Sequence, residues 1–342
     1  MNNLNYNLPN NKRILVLTIG SSTEPIVNGL SFLTALPSQY SVWVLGTRGN
    51  SSGRLDMLVK SVSQAIYGLS VCNQYDIVIS RGALVGVFFS LLSRLIRRNC
   101  KHFIFSIGIS YIKRWGISSL FGLIVIKLIT KKDIVFCHSS TEVSLWKKWK
   151  HNAFFFPLTV LNFLSGGIRR EFTEDYVFTG GRADRDYTTL IKAVAGLSIK
   201  VVIVLGKNPL NSAYDNIPEL PQNVILLKDI SQRDFDNLLY GATIVVLPLL
   251  NTYHNAGQTV LVKAMLAGKP VIATRCVGTV DYVDNFKTGI LVPPRNPAAL
   301  RDAINLLLNK DIRKTLAIRG KRIAESNLSP IRIASFFLSF VE

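Results

Sequence analysis

The sequence predicts an α/β fold with two Rossmann-like, doubly wound domains separated by a cleft. Three observations support this. The chain has 342 residues, which is enough for two domains of ordinary size. Short, continuously apolar runs recur along it, as expected of parallel strands that are covered on both faces. Segments with helical periodicity fill the intervals between these runs, and that alternation is typical of doubly wound sheets.

The apolar runs form two sets of similar size. The predicted strands of the first half cover residues 13–18, 41–45, 76–80, 102–105 and 133–137, and those of the second half cover 175–178, 200–205, 223–227, 243–247, 270–273 and 289–292. Helical periodicity is clearest over residues 186–195, 232–240, 258–267 and 297–309. Ser165-Gly166-Gly167 provides a linker, so we expect an N-terminal domain at 1–167 and a C-terminal domain at 168–342. The last helix, about residues 328–342, is expected to pack back on the N-terminal domain.

Positive charge is concentrated in the first half. The chain carries a formal net charge of +19. Residues 1–170 hold 20 basic and 5 acidic residues, a net of +15, whereas residues 171–342 hold 20 basic and 16 acidic residues, a net of +4. An excess confined to one half indicates an anionic partner for that half. Nucleic acid, an acidic polymer and an anionic membrane face are the candidates.

Two apolar stretches, Ala83–Leu92 and Ile117–Ile129, are too short to span a bilayer, which takes roughly 20 apolar residues. Their simplest interpretation is two buried helices. Their flanks are basic, however, so monotopic contact with anionic lipid is a serious alternative. The flanking basic residues are Arg94, Arg97, Arg98, Lys113, Arg114, Lys131, Lys132, Lys147, Lys148 and Lys150, and Trp115, Trp146 and Trp149 lie beside them.

Cysteine and histidine usage limits the possible classes of site. The four cysteines stand singly, without the paired spacing of a disulfide framework or a zinc site. The four histidines are dispersed, so we expect no metal. Residues 1–13 are polar and lack the apolar core of a secretory signal. These features favour the reducing cytoplasm.

The segment from Phe178 to Leu190 is the first candidate for a binding site. A predicted strand ends at Gly180-Gly181, where the backbone allows a ligand to approach closely, and Arg182 and Arg185 follow. The guanidinium group is a fixed fork of donors suited to phosphate oxygens. Taken alone, the segment also fits a glycine turn with two solvated arginines.

The second candidate runs from Tyr253 to Thr274, where a loop leads into a helix at Ala256-Gly257-Gln258-Thr259. A helix start built from small residues presents free N–H groups and the positive end of the helix dipole, which suits a diphosphate. Taken alone, this segment is an ordinary βαβ corner.

Together the two segments resemble the nucleotide-sugar-binding domain of the GT-B glycosyltransferases, in particular the large retaining family 4. The resemblance covers residues 176–304, and in the first half only Asp133-Ile-Val-Phe-Cys-His-Ser-Ser-Thr-Glu142 is similar. The matching motifs are Phe178-Thr-Gly-Gly-Arg182 with Arg185, Val204-Leu-Gly206, Leu239-Tyr-Gly-Ala-Thr-Ile-Val-Val-Leu-Pro248, Ala264-Met-Leu-Ala-Gly-Lys-Pro-Val-Ile-Ala-Thr274 and Gly289-Ile-Leu-Val-Pro293.

The resemblance implies a donor site in which two arginines and helix amides neutralise the diphosphate, with no cofactor and no metal. The implied donor-binding residues are Gly181, Arg182, Arg185, Asn255, Ala256, Gly257, Gln258, Thr259 and Lys263. The sequence departs from the family at two of them, because the family has two glutamates eight positions apart where this chain has Asn255 and Lys263. The second glutamate binds the ribose, and an ammonium group cannot accept a hydrogen bond. Lys263 is expected either to point to solvent or to contact a donor phosphate or an acidic sugar.

The leading functional hypothesis from the resemblance is a retaining, hexosyltransferase-type enzyme, cytoplasmic and peripheral at the inner face of the membrane. It would move a sugar from a nucleoside-diphosphate sugar to a lipid-linked or glycan acceptor, as in polysaccharide or glycolipid biosynthesis. Asn255 and Lys263 motivate the alternative of a non-catalytic GT-B subunit of a glycan-synthesis complex. A sugar-nucleotide epimerase shares the fold and needs only the donor. A nucleic-acid-binding protein fits the charge, but no recognised binding motif accompanies it, so no nucleic acid is expected.

Overall fold

The chain forms two compact units. The computed structural model describes residues 12–19, 30–47, 54–96, 98–106, 129–148, 151–160, 174–181, 184–206, 219–250 and 255–342. The first unit comprises residues 1–157 together with 330–342, and the second comprises residues 158–329. The linker proposed at residues 165–167 lies outside the described residues. The C-terminal helix begins at Pro330 and belongs to the first unit.

Each unit contains a six-stranded parallel sheet. The first sheet has the order β2-β1-β3-β4-β5-β6, and the second has the order β12-β11-β10-β7-β8-β9. The strands are β1 (Lys12–Thr18), β2 (Tyr40–Gly46), β3 (Ile77–Arg81), β4 (Lys101–Ser106), β5 (Ile134–Cys137), β6 (Asn152–Phe155), β7 (Tyr176–Gly181), β8 (Lys200–Leu205), β9 (Val224–Lys228), β10 (Ile244–Leu247), β11 (Val271–Thr274) and β12 (Ile290–Val292). The predicted α/β fold with two doubly wound domains is therefore confirmed.

All the predicted strands are present, and β6 is the strand that the sequence analysis missed. It pairs with β5 at the edge of the first sheet and alternates between exposed and buried residues. An edge strand of four residues lacks the continuous apolar run by which the other strands were recognised.

The helices of the described residues cover both faces of the sheets. They are α1 (Arg54–Val71), α2 (Ala83–Leu92), α3 (Ser140–Lys148), α4 (Tyr187–Val194), α5 (Gln232–Gly241), α6 (Gln258–Leu266), α7 (Pro297–Leu308), α8 (Lys310–Leu328) and α9 (Pro330–Leu338). Helices α4, α5, α6 and α7 match their predicted positions, and α2 matches the first apolar stretch, whereas α8 was not predicted. Residues 117–128 of the second apolar stretch lie outside the described residues. In the part of the chain that the structure describes, no helix is both long and apolar enough to cross a membrane.

The C-terminal segment completes the aromatic core of the first unit. Phe337 of α9 is fully buried, and its ring centroid lies 5.1 Å from that of Phe32 and 5.2 Å from that of Phe103. The Lys101 ammonium donates to the carbonyl oxygen of Val341 at 2.6 Å. Aromatic pairs at such distances add stability beyond the area that they bury. The segment after Pro330 is therefore part of the first unit's core.

Two residues of the proposed basic and aromatic membrane flanks belong to the interior instead. Trp146 is 1% exposed, because it packs in a cluster with strands β4 and β5. Arg98 forms an ion pair with the fully buried Asp133. Neither side chain is available to a lipid surface, and that part of the expectation is wrong. Lys131, Lys132, Lys147 and Lys148 are exposed, while Arg97, Lys113, Arg114, Trp115, Trp149 and Lys150 lie outside the described residues.

Asp133 is the centre of a buried polar network between β4, β5 and α2. His102 Nδ1 lies 2.9 Å from Asp133 Oδ1, and His102 Nε2 lies 2.8 Å from Ser80 Oγ. The spacing resembles a hydrolase triad. However, Ser80, His102 and Asp133 are all buried, so no substrate reaches the hydroxyl. Ser90 and Arg98 also bond Asp133, and the network is therefore structural.

The pKa values of His102 and Asp133 in the folded state make the protein less stable in acid. Burial lowers the pKa of His102, so its imidazole is neutral in the folded state. Burial alone would raise the pKa of Asp133, but hydrogen bonds and charges from His102, Arg98 and Ser90 outweigh it and hold the pKa below its usual range. Because both groups bind protons more readily after unfolding, the unfolded state is favoured as the pH falls.

We predict that Asp133→Asn lowers the free energy of unfolding by about 3–5 kcal/mol, because Arg98 loses its buried counter-ion. Urea unfolding at neutral pH measures the loss. The control is Asp302→Asn, which removes a carboxylate that is exposed on α7, and it should change stability little. A loss of the same size in both variants would contradict the assignment of Asp133 as the centre of the network.

We also predict that the unmodified protein loses stability as the pH falls below about 6.5, and more steeply as it approaches about 4, the usual pKa values of histidine and aspartate. Asp133→Asn should retain the histidine contribution but lose the steeper part. Urea titrations at several pH values test this. Parallel pH profiles for the two proteins would show that Asp133 does not titrate with unfolding.

Candidate functional site

The two segments singled out in the sequence meet at the carboxyl ends of β7 and β10. These strands are neighbours in the second sheet, where Val177 pairs with Ile244 and Phe178 with Val245, although 62 residues separate the end of β7 from the start of β10.

 The intervening stretch, residues 182–243, contains β8 and β9. The chain leaves β7 toward β8 and leaves β10 toward β11, in opposite directions along the sheet. Ligands of doubly wound folds bind at such a switch point, so this edge of the second unit is the candidate site.

Backbone hydrogen bonds hold the loops after β7 and β10 together. Leu250 N donates to the carbonyl oxygen of Asp184 at 2.9 Å, and Asp186 N donates to that of Pro248 at 2.9 Å. Leu249 N donates to Thr274 Oγ1 at the end of β11, also at 2.9 Å. The three strand ends are therefore fixed to one another before any ligand binds.

Arg185 lies buried at the centre of these loops. Its Nε donates to the carbonyl oxygen of Gly180 at 3.0 Å. A Cβ atom on Gly181 would lie 2.2 Å from Arg185 Nη2, and one on Gly257 would lie 3.7 Å from Arg185 Nη1. The guanidinium group thus packs between the end of β7 and the start of α6. Burial lowers the pKa of Arg185, but arginine keeps its charge in proteins.

The start of α6 presents backbone amides at the same edge. Gly257 is the N-cap residue, and its φ of +81° is a left-handed conformation that favours glycine. Ala256 and Gln258 are buried, and Thr259 is half-buried. A Cβ atom on Gly278 would lie 2.6 Å from the carbonyl oxygen of Ala256, so the loop after β11 presses on this turn. The first amides of a helix carry partial positive charge and favour an anion.

The structure brings most of the predicted donor-binding residues to this edge. Gly181, Arg185, Ala256 and Gly257 converge there, and Asn255 stands directly before the turn, half-buried. Arg182 lies outside the described residues, so its predicted role stays a prediction. In the described part of the chain, no three histidine, cysteine, aspartate or glutamate side chains form a group that could hold a metal ion.

Lys263 does not point to solvent, and that expectation is wrong. The side chain is buried, and its ammonium donates to Asp236 Oδ1 at 2.7 Å and to Oδ2 at 3.0 Å. Gln232 Nε2 donates to the same carboxylate at 3.0 Å. Burial and the charge of Asp236 raise the pKa of the neighbouring Tyr240 to about 12. A contact between Lys263 and a donor phosphate would therefore have to compete with a buried ion pair that joins α5 to α6.

Asp236 is the residue that the sequence analysis missed. The signal was the position of Lys263 in the apolar run from Val260 to Leu266, where a buried ammonium needs a counter-ion. Asp236 follows Gln232 by one helical turn on α5. Spacing alone shows that an acid is required, but it does not select Asp236 among the acids of the second half.

Comparisons with known proteins show what the second unit is similar to. Residues 174–310 match the family model described as Glycosyl transferases group 1. Over 139 residues the chain is 26% identical to the capsular polysaccharide biosynthesis glycosyltransferase CapM of Staphylococcus aureus, a match that covers 39% of this chain and 35% of CapM. Over 67 residues it is 39% identical to the uncharacterized glycosyltransferase MJ1178 of Methanocaldococcus jannaschii, a match that covers 19% of each. The matches thus span about a third or less of these relatives.

Solved structures share the fold over nearly the whole chain. Sucrose-phosphate synthase from Thermosynechococcus elongatus superposes with a TM-score of 0.72 at 18% identity, covering 96% of this chain and 98% of that one. Anabaena Alr3699/HepE in complex with UDP-glucose superposes with a TM-score of 0.70 at 16% identity, covering 96% and 99%. The resemblance to GT-B glycosyltransferases of group 1 is confirmed. The narrower expectation, retaining family 4, stays a prediction.

We predict that Lys263 and Asp236 are strongly coupled. Either Lys263→Met or Asp236→Leu should lower the free energy of unfolding by about 3–5 kcal/mol, because each leaves one buried charge without its partner. The double variant should lose much less, since both charges are then gone. Lys263→Glu should be the least stable, because it places two carboxylates together. Urea unfolding of the four variants tests this, and losses that simply add would contradict the coupling.

We predict that Gly181→Ala is more destabilising than the matched change Gly196→Ala. Both glycines have positive φ, +133° and +74°, but a Cβ on Gly196 would meet nothing within 4 Å. Gly196→Ala should cost about 1 kcal/mol for backbone conformation alone. Gly181→Ala should cost about 3 kcal/mol, because a more restricted conformation and the displaced Arg185 guanidinium both contribute. Equal losses in urea unfolding would show that Arg185 is not held at this position.

Proposed function

We propose that the protein is a glycosyltransferase that moves a sugar from a nucleoside-diphosphate sugar to a lipid-linked or glycan acceptor. The observation that carries the proposal is the convergence of three features at the β7–β10 switch point. They are the glycine end of β7, the buried guanidinium of Arg185 and the N-terminus of α6. The family match of residues 174–310 and the UDP-glucose bound by HepE support the same donor class.

The proposed sugar transfer requires positively charged groups that are already in position before the reaction begins. In the proposed transfer, the bond between the anomeric carbon and the diphosphate oxygen breaks, while an acceptor hydroxyl bonds to that carbon and loses its proton. Negative charge then grows on the departing nucleoside diphosphate. A guanidinium and helix amides that are already positioned stabilise that charge in the transition state. We therefore propose a hexosyl transfer without a metal or cofactor, and we extend retention of configuration from the family resemblance.

A non-catalytic GT-B subunit is the second candidate, and one observation favours it. Lys263 is engaged by Asp236, and Asn255 replaces a carboxylate, so neither position supplies the acidic groups that the resemblance leads one to expect. A subunit of a glycan-synthesis complex would keep the fold and lose donor turnover. A sugar-nucleotide epimerase would turn over the donor without an acceptor.

Thermal-shift measurements with UDP, GDP and their sugars test the donor class, because a ligand that binds the folded state raises its stability. Sugar release or transfer is then measured with and without a glycan or lipid-linked acceptor. Transfer that needs the acceptor supports the proposal. Binding of no nucleotide would favour the subunit, and turnover of the donor alone would favour the epimerase.

We predict that Arg185→Ala weakens UDP binding by about 1.5–3 kcal/mol, the value of a lost hydrogen bond to a charged group, and leaves uridine binding nearly unchanged. Arg182→Ala should act in the same direction. Arg319→Ala, which removes an exposed arginine from α8, is the matched control. Calorimetric titration of UDP and uridine measures both affinities, with folding checked by circular dichroism. Equal losses for the two ligands would contradict the diphosphate assignment.

We further propose that the protein acts in the cytoplasm, peripheral at the inner face of the membrane, with the first unit toward the acceptor. The support is the charge asymmetry of +15 against +4 between the halves and the exposed Lys131, Lys132, Lys147 and Lys148. Attraction of this kind is worth on the order of 1 kcal/mol per basic residue near an anionic surface and fades with salt.

A further inference from the structure

The outer face of α1 exposes large apolar side chains beside Ser63 and Ser70, although α1 packs against the first sheet through its other face. Leu55 is 75% exposed, and Val59 and Ile66 are each 56% exposed. Their spacing of four and then seven residues places them on one stripe of the helix. Leu58 and Tyr67 are also exposed beside this stripe. We call Leu55, Leu58, Val59, Ile66 and Tyr67 the α1 stripe.

The inner face of α1 is partly polar, so the amphipathic pattern of the helix is reversed in part. Ser61 and Gln64 are buried there beside Ala65 and Leu69. In the part of the chain that the structure describes, the buried Gln64 Oε1 has no hydrogen-bond partner. Burying polar groups while exposing large aliphatic ones is unfavourable in water alone. An exposed apolar patch of this kind marks an interaction surface.

Apolar side chains also project from the turn that follows α2. Leu95 is 83% exposed, and Ile96 is exposed next to it. Asn99 N donates to Asn73 Oδ1 at 3.2 Å, which ties the end of this turn to the residues that follow α1. Arg94 is exposed in the same turn. The turn therefore combines apolar and basic side chains near the C-terminal end of α1.

The described residues of the first unit expose few carboxylates. Asp56, the one acid of α1, is paired with Lys60 at 2.8 Å. Among the other described acids of residues 1–157, Asp133 and Glu142 are buried, and Asp76 is exposed and accepts a hydrogen bond from Arg13 N. The exposed charge of this unit is therefore mainly positive. A second copy of the chain would bring a face of the same sign, whereas an anionic lipid surface complements it.

We propose that the α1 stripe, with Leu95 and Ile96, inserts shallowly into an anionic lipid leaflet. This rests on the proposed membrane-surface function and gives it a location in the molecule. A helix that lies in the interface buries its apolar face among the lipids while basic side chains contact the headgroups. The exposed Lys131, Lys132, Lys147 and Lys148 add long-range attraction to the anionic surface. The apolar contact of the α1 stripe persists when salt weakens that attraction.

The test compares two variants that carry the same kind of substitution at different positions, one on the α1 stripe and one on α8. Val59→Asp and Ile318→Asp each add one negative charge at a helical position of nearly equal exposure, 56% and 57%. Ile318 lies on α8 of the second unit, beside the basic Arg319 and Lys314. Co-sedimentation is measured with vesicles of equal parts phosphatidylglycerol and phosphatidylcholine and with phosphatidylcholine alone. Thermal shift with UDP is measured on the same samples.

We expect the unmodified protein to bind the anionic vesicles, Val59→Asp to bind at least tenfold less, and Ile318→Asp to bind nearly as well as the unmodified protein. Leu55→Asp should repeat the loss, and it carries the test if Val59→Asp does not fold. Equal losses at Val59 and Ile318, or no loss at Val59, would overturn the proposal. A dimer that forms without lipid and is broken by Val59→Asp would also overturn it, in favour of a second copy.

The nucleotide measurement separates this proposal from the donor assignment. If Val59→Asp loses vesicle binding but keeps its response to UDP, the α1 stripe acts in docking and the donor site is independent of it. If no variant responds to UDP while vesicle binding follows the expected pattern, the donor assignment fails and the docking surface stands.

Discussion

The pairing of β7 with β10 is the contact on which the second unit depends. It joins two strands between which the chain forms α4, β8, β9 and α5. From these two strands the chain continues in opposite directions along the sheet, toward β8 from β7 and toward β11 from β10. Every feature of the candidate site follows from that pairing. The glycine end of β7, the guanidinium of Arg185 and the first turn of α6 come from segments that are distant in sequence, and they meet only because these two strands are adjacent. The loops are then fixed by backbone hydrogen bonds rather than by the ligand.

Buried charge is handled in the same way in both units. Asp133 in the first unit and Asp236 in the second each take hydrogen bonds from a cation and from neutral side chains. Moving an ionised group out of water costs on the order of several kcal/mol even after the protein relaxes. Only a well-placed partner of opposite charge offsets this cost. Each carboxylate also joins elements that are separate in the chain: Asp133 joins α2 to the segment before β5, and Asp236 joins α5 to α6. Such pairs select one packing of the helices over alternatives in which a charge stays unpaired.

Local pattern was sufficient for most of the strands and insufficient for the partners of buried charges. The parallel strands were predictable because each is covered on both faces and reads as a continuous apolar run. The edge strand β6 has water on one side, so its pattern differs and it was missed. The two site segments could be recognised singly, and the rule for switch points predicts that they meet. The Lys263–Asp236 pair could not be predicted, because the choice of partner depends on how α5 lies against α6. The exposed face of α1 was missed for a related reason, since sequence alone does not say which side of a helix with apolar residues on both sides faces the sheet.

The place of α9 in the first unit has a consequence for the order in which the protein folds during synthesis. Residues 158–329 leave the ribosome before α9 does, yet Phe337 fills the centre of the aromatic cluster around Phe32 and Phe103. The second unit is therefore able to close its core while the first, although made earlier, still has a gap in its own. Until residues 330–342 emerge, the nascent first unit exposes phenylalanine rings, which is the condition under which chaperones bind and partly folded chains aggregate. The unit that is translated first is thus the one that folds to completion last.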